Sequence, residues 1–200
     1  MSVHSEDLFD SDGRRLYLTP EERQAFLAAA KTAARPVRSF CHTLHATGCR
    51  ISEALQLTPR RIDLAAQLVT FETLKQRRRG VYRAVPVPPD YLDTLDMVHG
   101  LRELARRSRT SPAREAPLWT WSRMTAYRKV REVLDDAGIE DGPHKAPKGL
   151  RHAYGINAIL KGVPVTSLRK WMGHAKLETT AIYVDALGAQ QQEIAARMWE

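Results

Sequence analysis

The chain has 200 residues, 43% of them hydrophobic, which is enough for one compact domain with a core that needs no disulfide or metal. Lys and Arg number 31 against 23 Asp and Glu, giving a formal net charge of +8, and this balance favours an extended polyanion over an acidic small molecule as partner. Cys41 and Cys49 have no metal-binding spacing, and the sequence carries neither a signal-peptide core nor a run of eighteen apolar residues. We therefore expect a cytoplasmic protein with no membrane partner, although charge alone does not establish nucleic-acid binding.

The first third of the chain predicts a leader and three helices. Residues 1–18 show no periodicity, so we expect a flexible leader before one domain over residues 19–200. Thr19-Pro20-Glu21-Glu22 has the pattern of a capping box and predicts a helix to about residue 34. A second helix is predicted from residue 36 to the stop at Thr47-Gly48, and a short third helix over residues 51–57.

The pattern then changes to β-structure. The β-favouring runs 68–71 and 82–85 flank a segment, residues 75–80, that contains one lysine, three arginines and a glycine. This arrangement predicts an antiparallel hairpin with a strongly basic tip.

Helical periodicity returns after Pro88-Pro89. Apolar residues predict one helical face over residues 92–104 and a second over 124–134, with a polar loop over 106–117 between them. Further helices are predicted over residues 148–160, 164–172, 179–184 and 187–199. The predicted fold class is therefore mainly α with a small antiparallel β-sheet.

Four segments place cationic or polar groups at predicted helix ends or loop tips, where a phosphate can be gathered. They contain Arg50, Lys75, the Lys148–His152 segment, and Gly173-His174 with Tyr183 nine positions after the histidine. Taken separately, each has an ordinary explanation: a surface ion pair, a solvated loop tip, a capping histidine or a core ring. Only their order and spacing together point to one site.

This ordered set resembles the tyrosine recombinase (phage integrase) family over about residues 18–190. The resemblance is carried by Thr-Gly-x-Arg-Ile-Ser-Glu-Ala-Leu, Leu-Arg-His-Ala and Met-Gly-His-x-x-x-x-Thr-Thr-x-x-Tyr as they stand in this chain. It implies the catalytic fold of that family and a site-specific recombinase that cleaves and rejoins DNA through a 3′-phosphotyrosine, with neither metal ion nor ATP. No cofactor is expected.

The resemblance also implies a role for each matched residue. Arg50 and Arg151 look like the two phosphate-clamping arginines, His174 like the histidine beside the phosphate, and Tyr183 like the nucleophile. Lys75 looks like the hairpin lysine that protonates the leaving 5′-oxygen, and Glu53 like the acidic residue that supports the site. Non-specific DNA-backbone contacts are expected from the basic hairpin: Arg77, Arg78, Arg79 and Arg83.

One matched position departs from the common pattern. Most relatives have a histidine three residues before the second arginine, whereas this chain has Lys148, a residue type found there in some relatives. The upstream His144 lies at the wrong spacing to replace it. We therefore include Lys148 in the expected site as a phosphate ligand.

The resemblance leaves several alternatives open. Family members usually carry an additional N-terminal core-binding domain, so the chain is expected to be a short form that contains the catalytic part alone, either naturally short or truncated. Type IB topoisomerase-like nicking and a catalytically idle DNA-binding relative are the alternative functions. Double-stranded DNA is the expected partner, with a homodimer or homotetramer assembled on it. The helix at 187–199 is predicted to pack either within its own chain or on a neighbouring protomer.

Overall fold

A computed structural model describes residues 8–73, 80–106 and 111–185. Within these ranges the chain forms nine α-helices and a three-stranded sheet. The α-helices are α1 Pro20–Thr32, α2 Arg35–Thr47, α3 Ile51–Ala54, α4 Pro89–His99, α5 Leu101–Arg106, α6 Arg123–Asp136, α7 Pro147–Leu160, α8 Val165–Met172 and α9 Glu178–Asp185. The strands are β1 Ile62–Asp63, β2 Leu68–Glu72 and β3 Tyr82–Pro86. The predicted fold class is confirmed. The predicted helix at 187–199 and the tip of the hairpin lie outside the described residues.

The sheet is antiparallel in the order β1-β2-β3. β2 and β3 pair over their whole length, from Leu68 opposite Pro86 to Glu72 opposite Tyr82, which confirms the two predicted hairpin strands. Successive side chains alternate between the two faces of a strand, and Val69 and Phe71 therefore enter the core. On β3 the inward positions are Arg83 and Val85.

Local signals in the sequence explain the ends of the first helices. Thr19 Oγ1 accepts a hydrogen bond from Glu22 N–H, and the Glu22 carboxylate accepts one from Thr19 N–H, so the predicted capping box is formed. Gly48 ends α2 with φ 58°, and Gly100, at φ 64°, divides the predicted helical stretch 92–104 into α4 and α5. Both angles are left-handed and favour glycine.

Residues 8–18 differ from the predicted flexible leader. Phe9 and Arg15 form a β-bridge across a tight turn, while Leu8 and Leu18 are buried. Arg15 also pairs with Glu22 in the first turn of α1. Two buried leucines and an ion pair therefore attach this segment to the domain, although it has no periodicity from which its packing could be predicted.

Two hydrophobic clusters hold the described helices together. The larger one joins α1, α2, α4 and α6 to the sheet through residues such as Phe26, Phe40 and Phe71. The second contains Leu168, Met172 and Tyr183 beside the middle of α7. The α7 helix contributes Leu150 and Ala153 to the first cluster and Tyr154 and Ile156 to the second, so it lies between them.

Candidate active site

Arg50 lies at the N-terminus of α3, directly after the turn that ends α2. Gly48 makes this turn possible for two reasons: its φ is positive, and a Cβ there would lie 2.4 Å from Cδ1 of the Tyr154 ring. Arg50 Nη1 donates to Glu53 Oε1 at 3.0 Å, and the Arg50 side chain remains partly exposed to the cleft beside it. The backbone therefore holds Arg50 at the cleft edge, as a phosphate ligand requires.

Glu53 is a fully buried carboxylate that accepts four hydrogen bonds. Two come from the backbone N–H and the guanidinium of Arg50, at 2.8 and 3.0 Å, and two from Arg83, at 2.6 and 3.2 Å. Burial alone would raise the pKa of Glu53, but the charge of Arg83 and its hydrogen bonds outweigh burial, and the pKa is lowered. Glu53 is therefore an anion that orients two arginines.

The position of Arg83 contradicts the prediction that this residue is a surface contact to DNA. Its side chain lies on the inward face of β3 and is 6% exposed. Besides its two bonds to Glu53, its guanidinium donates to Thr73 Oγ1 at 3.2 Å and to the Trp171 carbonyl at 2.7 Å. All of these partners of the guanidinium lie inside the protein, so Arg83 links β3 to α3 and α8.

Arg151 projects from the first turns of α7 into the same region and is also buried. Its Nη1 donates to the Gly48 carbonyl at 2.6 Å and its Nη2 to the Met172 carbonyl at 2.7 Å. Burial and the nearby charge of Arg50 lower the pKa of Arg151 to about 10, so the guanidinium stays charged at neutral pH. Two carbonyls thus fix the plane of a cation that remains available for an anionic ligand.

His174 follows the left-handed Gly173 at the end of α8 and contacts Arg151. Arg151 Nη2 lies 2.9 Å from His174 Nε2, and because an arginine can only donate, Nε2 is the acceptor. The proton of the neutral ring is then on Nδ1, which donates to Thr180 Oγ1 at 3.0 Å. Thr180 therefore fixes the orientation of the ring.

Tyr183 lies on α9, one helical turn after Thr180, and is only 1% exposed. Its ring is nearly parallel to that of His174, at 22° with 6.3 Å between centroids. On the other side it packs on Gly155 of α7, where a Cβ would lie 2.6 Å from the ring. Its hydroxyl lies 3.2 Å from Nδ1 of His152. The phenol is therefore held in one orientation inside the cleft wall.

One cleft, with a volume of about 330 Å³, brings five of the six predicted catalytic residues together. Arg50, Lys148, Arg151, His174 and Tyr183 line it, and Glu53 lies behind Arg50. Lys75, Arg77, Arg78 and Arg79 lie outside the described residues. His144 packs near Glu22, with 3.8 Å between Nε2 and Oε1, and does not line the cleft.

Residues of the cleft or its support that were not assigned to the site from the sequence include His152, Thr180, Arg123 and Tyr127. The side chain of His152 lies within hydrogen-bond distance of Tyr183, and that of Thr180 lies within hydrogen-bond distance of His174. Both residues stand within the motifs that carry the family resemblance. Arg123 and Tyr127 of α6 also line the cleft. Their spacing of four residues places them on one helical face, but nothing in the sequence indicates that this face meets the cleft.

The described ranges contain neither a metal-binding cluster of side chains nor a helix that could span a membrane. No group of three or more His, Cys, Asp or Glu side chains there lies close enough together to hold a metal ion. No helix within the described ranges is both long and apolar enough to cross a membrane.

The fold is that of a tyrosine recombinase catalytic domain, and two examples of solved structures that share it illustrate this. One is the XerH site-specific recombinase bound to palindromic difH substrate in a post-cleavage complex, with TM-score 0.70 and 22% identity, covering 100% of this chain and 58% of that one. The other is the catalytic domain of bacteriophage HP1 integrase, with TM-score 0.62 and 22% identity, covering 90% of this chain and 93% of that one.

A model of the phage integrase family matches residues 16–189, and the chain belongs to this family, which confirms the resemblance of its motifs. The chain is 33% identical over 187 residues to the tyrosine recombinase XerD of Mycobacterium leprae (strain TN), an alignment that covers 86% of this chain. The same alignment covers 57% of the XerD protein, so the chain spans about half the length of this relative.

Proposed function

We propose that this chain is the catalytic part of a site-specific DNA recombinase, in which Tyr183 attacks a DNA phosphodiester and forms a 3′-phosphotyrosine. The observation that carries the proposal is the convergence of Arg50, Arg151, His174 and Tyr183, from four separate segments, on one cleft. Family membership supports this assignment.

The charges around the cleft suit a phosphate. Arg50, Arg83 and Arg151 surround one buried carboxylate, Glu53, so the arginine charges exceed the carboxylate charge by two. Arg50 and Arg151 have guanidinium groups at the cleft wall, and a planar guanidinium can donate two parallel hydrogen bonds to non-bridging oxygens. Because negative charge spreads over these oxygens in the pentacoordinate transition state, fixed cations stabilise the transition state.

The reaction exchanges one phosphoester bond for another. A phenol has a pKa near 10, so forming a phenolate at pH 7 costs about 4 kcal/mol, which neighbouring cations and a proton acceptor reduce. Tyr183 Oη forms the new bond to phosphorus as the bond to the 5′-oxygen breaks, and we assign protonation of that oxygen to Lys75. The phosphotyrosine retains the energy of the broken phosphoester bond for the rejoining step. We therefore propose that the reaction uses neither a metal ion nor ATP.

Lys148 is proposed as a further phosphate ligand. Its side chain lines the cleft one helical turn before Arg151 on α7, and a lysine ammonium can donate to a phosphate oxygen. As a phosphate ligand Lys148 leaves the phenolic proton of Tyr183 to another group.

Double-stranded DNA is the proposed substrate, bound by a homodimer or homotetramer. The net charge of +8 supports binding to a phosphate backbone, with an affinity that falls steeply as salt concentration rises. The solved XerH relative is itself bound to its DNA substrate.

Covalent trapping tests the proposal. Wild-type protein is incubated with a pool of nicked duplexes of random sequence, and adducts that resist SDS are recovered and sequenced. We expect wild-type protein to yield adducts, and Tyr183→Phe to yield none while binding a recovered duplex with unchanged affinity, because only the nucleophilic oxygen is removed.

Two results would contradict the proposal. An adduct formed by Tyr183→Phe would show that another residue is the nucleophile. Failure of folded wild-type protein to form any adduct would indicate the catalytically idle alternative, and relaxation of supercoiled DNA without sequence preference would indicate the topoisomerase alternative.

A further inference from the structure

The hydroxyl of Tyr183 contacts a different histidine from the one that lies beside Arg151. His152 Nδ1 lies 3.2 Å from Tyr183 Oη, and the two rings are 5.9 Å apart between centroids. His152 is 4% exposed, lines the cleft, and immediately follows Arg151 on α7. We propose that His152 is a catalytic residue that accepts the phenolic proton of Tyr183 during attack on DNA. This inference rests on the proposed function.

The neighbouring groups are less suited to accept this proton. His174 directs Nε2 at Arg151 and Nδ1 at Thr180, while its ring lies alongside the Tyr183 ring. Arg151 is charged at neutral pH and donates to two carbonyls. An imidazole nitrogen, by contrast, has a lone pair and a basicity suited to proton exchange near neutral pH. His152 presents such a nitrogen to the reacting oxygen.

The proposed step balances as follows. As the Tyr183 Oη–phosphorus bond forms, the phenolic proton passes to Nδ1 of His152, which must begin as the tautomer with its proton on Nε2. The phosphorus–5′-oxygen bond breaks, and the 5′-oxygen leaves as a hydroxyl with a proton from Lys75. In rejoining, a DNA 5′-hydroxyl gives its proton to Lys75, and His152 returns its proton to the departing Tyr183 oxygen.

The charges that surround His152 favour this return. The cleft is lined by cations from two helices and from the start of α3: Arg123 of α6, Lys148 and Arg151 of α7, and Arg50. Glu53 behind Arg50 and the bound phosphate supply the negative charge. Like charges disfavour a lasting imidazolium, so His152 holds the proton only while the tyrosine oxygen is bonded to phosphorus.

His152→Asn is the test variant, because the asparagine side chain places a hydrogen-bonding atom near the position of Nδ1 but cannot accept a proton. The matched control is His42→Asn. His42 is also 4% exposed and its Nδ1 also lies 3.2 Å from a hydroxyl, that of Thr94, but it does not line the cleft. The probe is a nicked duplex recovered through its covalent attachment to wild-type protein.

We expect His152→Asn to slow single-turnover adduct formation by about 100-fold or more, the usual contribution of general base catalysis, and His42→Asn to leave it unchanged. Replacing Tyr183 by a fluorinated tyrosine, whose phenol is more acidic, should reduce the defect of His152→Asn. A folded His152→Asn variant as fast as wild type would overturn the inference. If wild type itself forms no adduct, the proposed function fails first; an active wild type separates the two failures.

A measurement on the intact chain keeps the test independent of the folding of His152→Asn. In ¹⁵N-histidine NMR spectra, the ring signals of His152 are identified by their shift in Tyr183→Phe. We expect Nδ1 of His152 to be unprotonated in the neutral form. A proton on Nδ1 would make His152 a donor to Tyr183 and would overturn the inference.

Discussion

Replacing Arg83 by methionine is expected to destabilise the fold, because Arg83 is a buried partner of Glu53. Methionine retains an apolar stem but removes the guanidinium that donates to Glu53, to Thr73 and to the Trp171 carbonyl. The Glu53 carboxylate then stays buried with Arg50 as its remaining arginine partner among these contacts.

The expected magnitude follows from this geometry. Removing one partner of a buried ion pair costs about 3–5 kcal/mol, and the retained Arg50 contact places this change near the lower value, about 3 kcal/mol. In a domain of this size that corresponds to a fall of about 6–12 °C in the unfolding temperature. Arg83→Met with Glu53→Gln should be more stable than Arg83→Met alone, because the buried carboxylate that lost its Arg83 partner is then neutral.

Urea unfolding followed by circular dichroism measures these changes. The matched control is Arg102→Met, which removes ion pairs to Asp93 and Asp96 from a side chain that is 57% exposed. Exposed pairs of this kind contribute about 0–1 kcal/mol. If Arg83→Met were as stable as Arg102→Met and instead lost affinity for DNA, the surface interpretation of Arg83 would be right and the reasoning given for the buried ion pair would be refuted.

Three further predictions concern the cleft and the buried histidines. Gly155→Ala should slow cleavage by about tenfold or more in single-turnover assays, because its Cβ would displace the Tyr183 ring; an unchanged rate would contradict this. Lys148→Ala should lose at least about tenfold in cleavage rate, about 1.4 kcal/mol of barrier, while Lys148→His stays active; an alanine variant as fast as wild type would exclude the role. Burial lowers the pKa of His45 to about 3 and of His99 to about 4, so the unfolded chain binds more protons and the free energy of unfolding should fall as pH drops below about 6.5; equal urea midpoints at pH 7 and pH 5 would contradict this.

Local rules predicted most of the helices, because their signals are carried by neighbouring residues. The capping box at Thr19 and the left-handed Gly48 set the ends of α1 and α2 close to the expected positions. The packing of Leu8 and Leu18 was not predictable in this way, because both leucines are buried by residues distant in sequence. The division of α4 from α5 at Gly100 was missed because the apolar periodicity continues through that glycine.

For the candidate site, the sequence predicted some of the residues and missed or misplaced others. The motif residues that the structure describes lie at or behind one cleft, because the family resemblance already implied that they belong to one site. Arg83 was misinterpreted because the charge of the hairpin was given more weight than its alternation: with Val85 inward, Arg83 two residues earlier must also point inward. His152 was missed because its role depends on the distance between α7 and α9, which no single segment encodes.

The α7 helix carries several residues of the cleft and its support. Lys148, Arg151, His152 and Gly155 all lie on it, so helical pitch, and not loop conformation, sets the spacing between the proposed phosphate ligands, the proposed proton acceptor and the glycine on which the Tyr183 ring packs. Each added residue turns a helix by about 100° and advances it by about 1.5 Å. A one-residue insertion between Lys148 and Arg151 would therefore point the two cations in different directions. We expect such a change in length to alter several contacts of the cleft at once, whereas a single substitution in this segment alters one side chain.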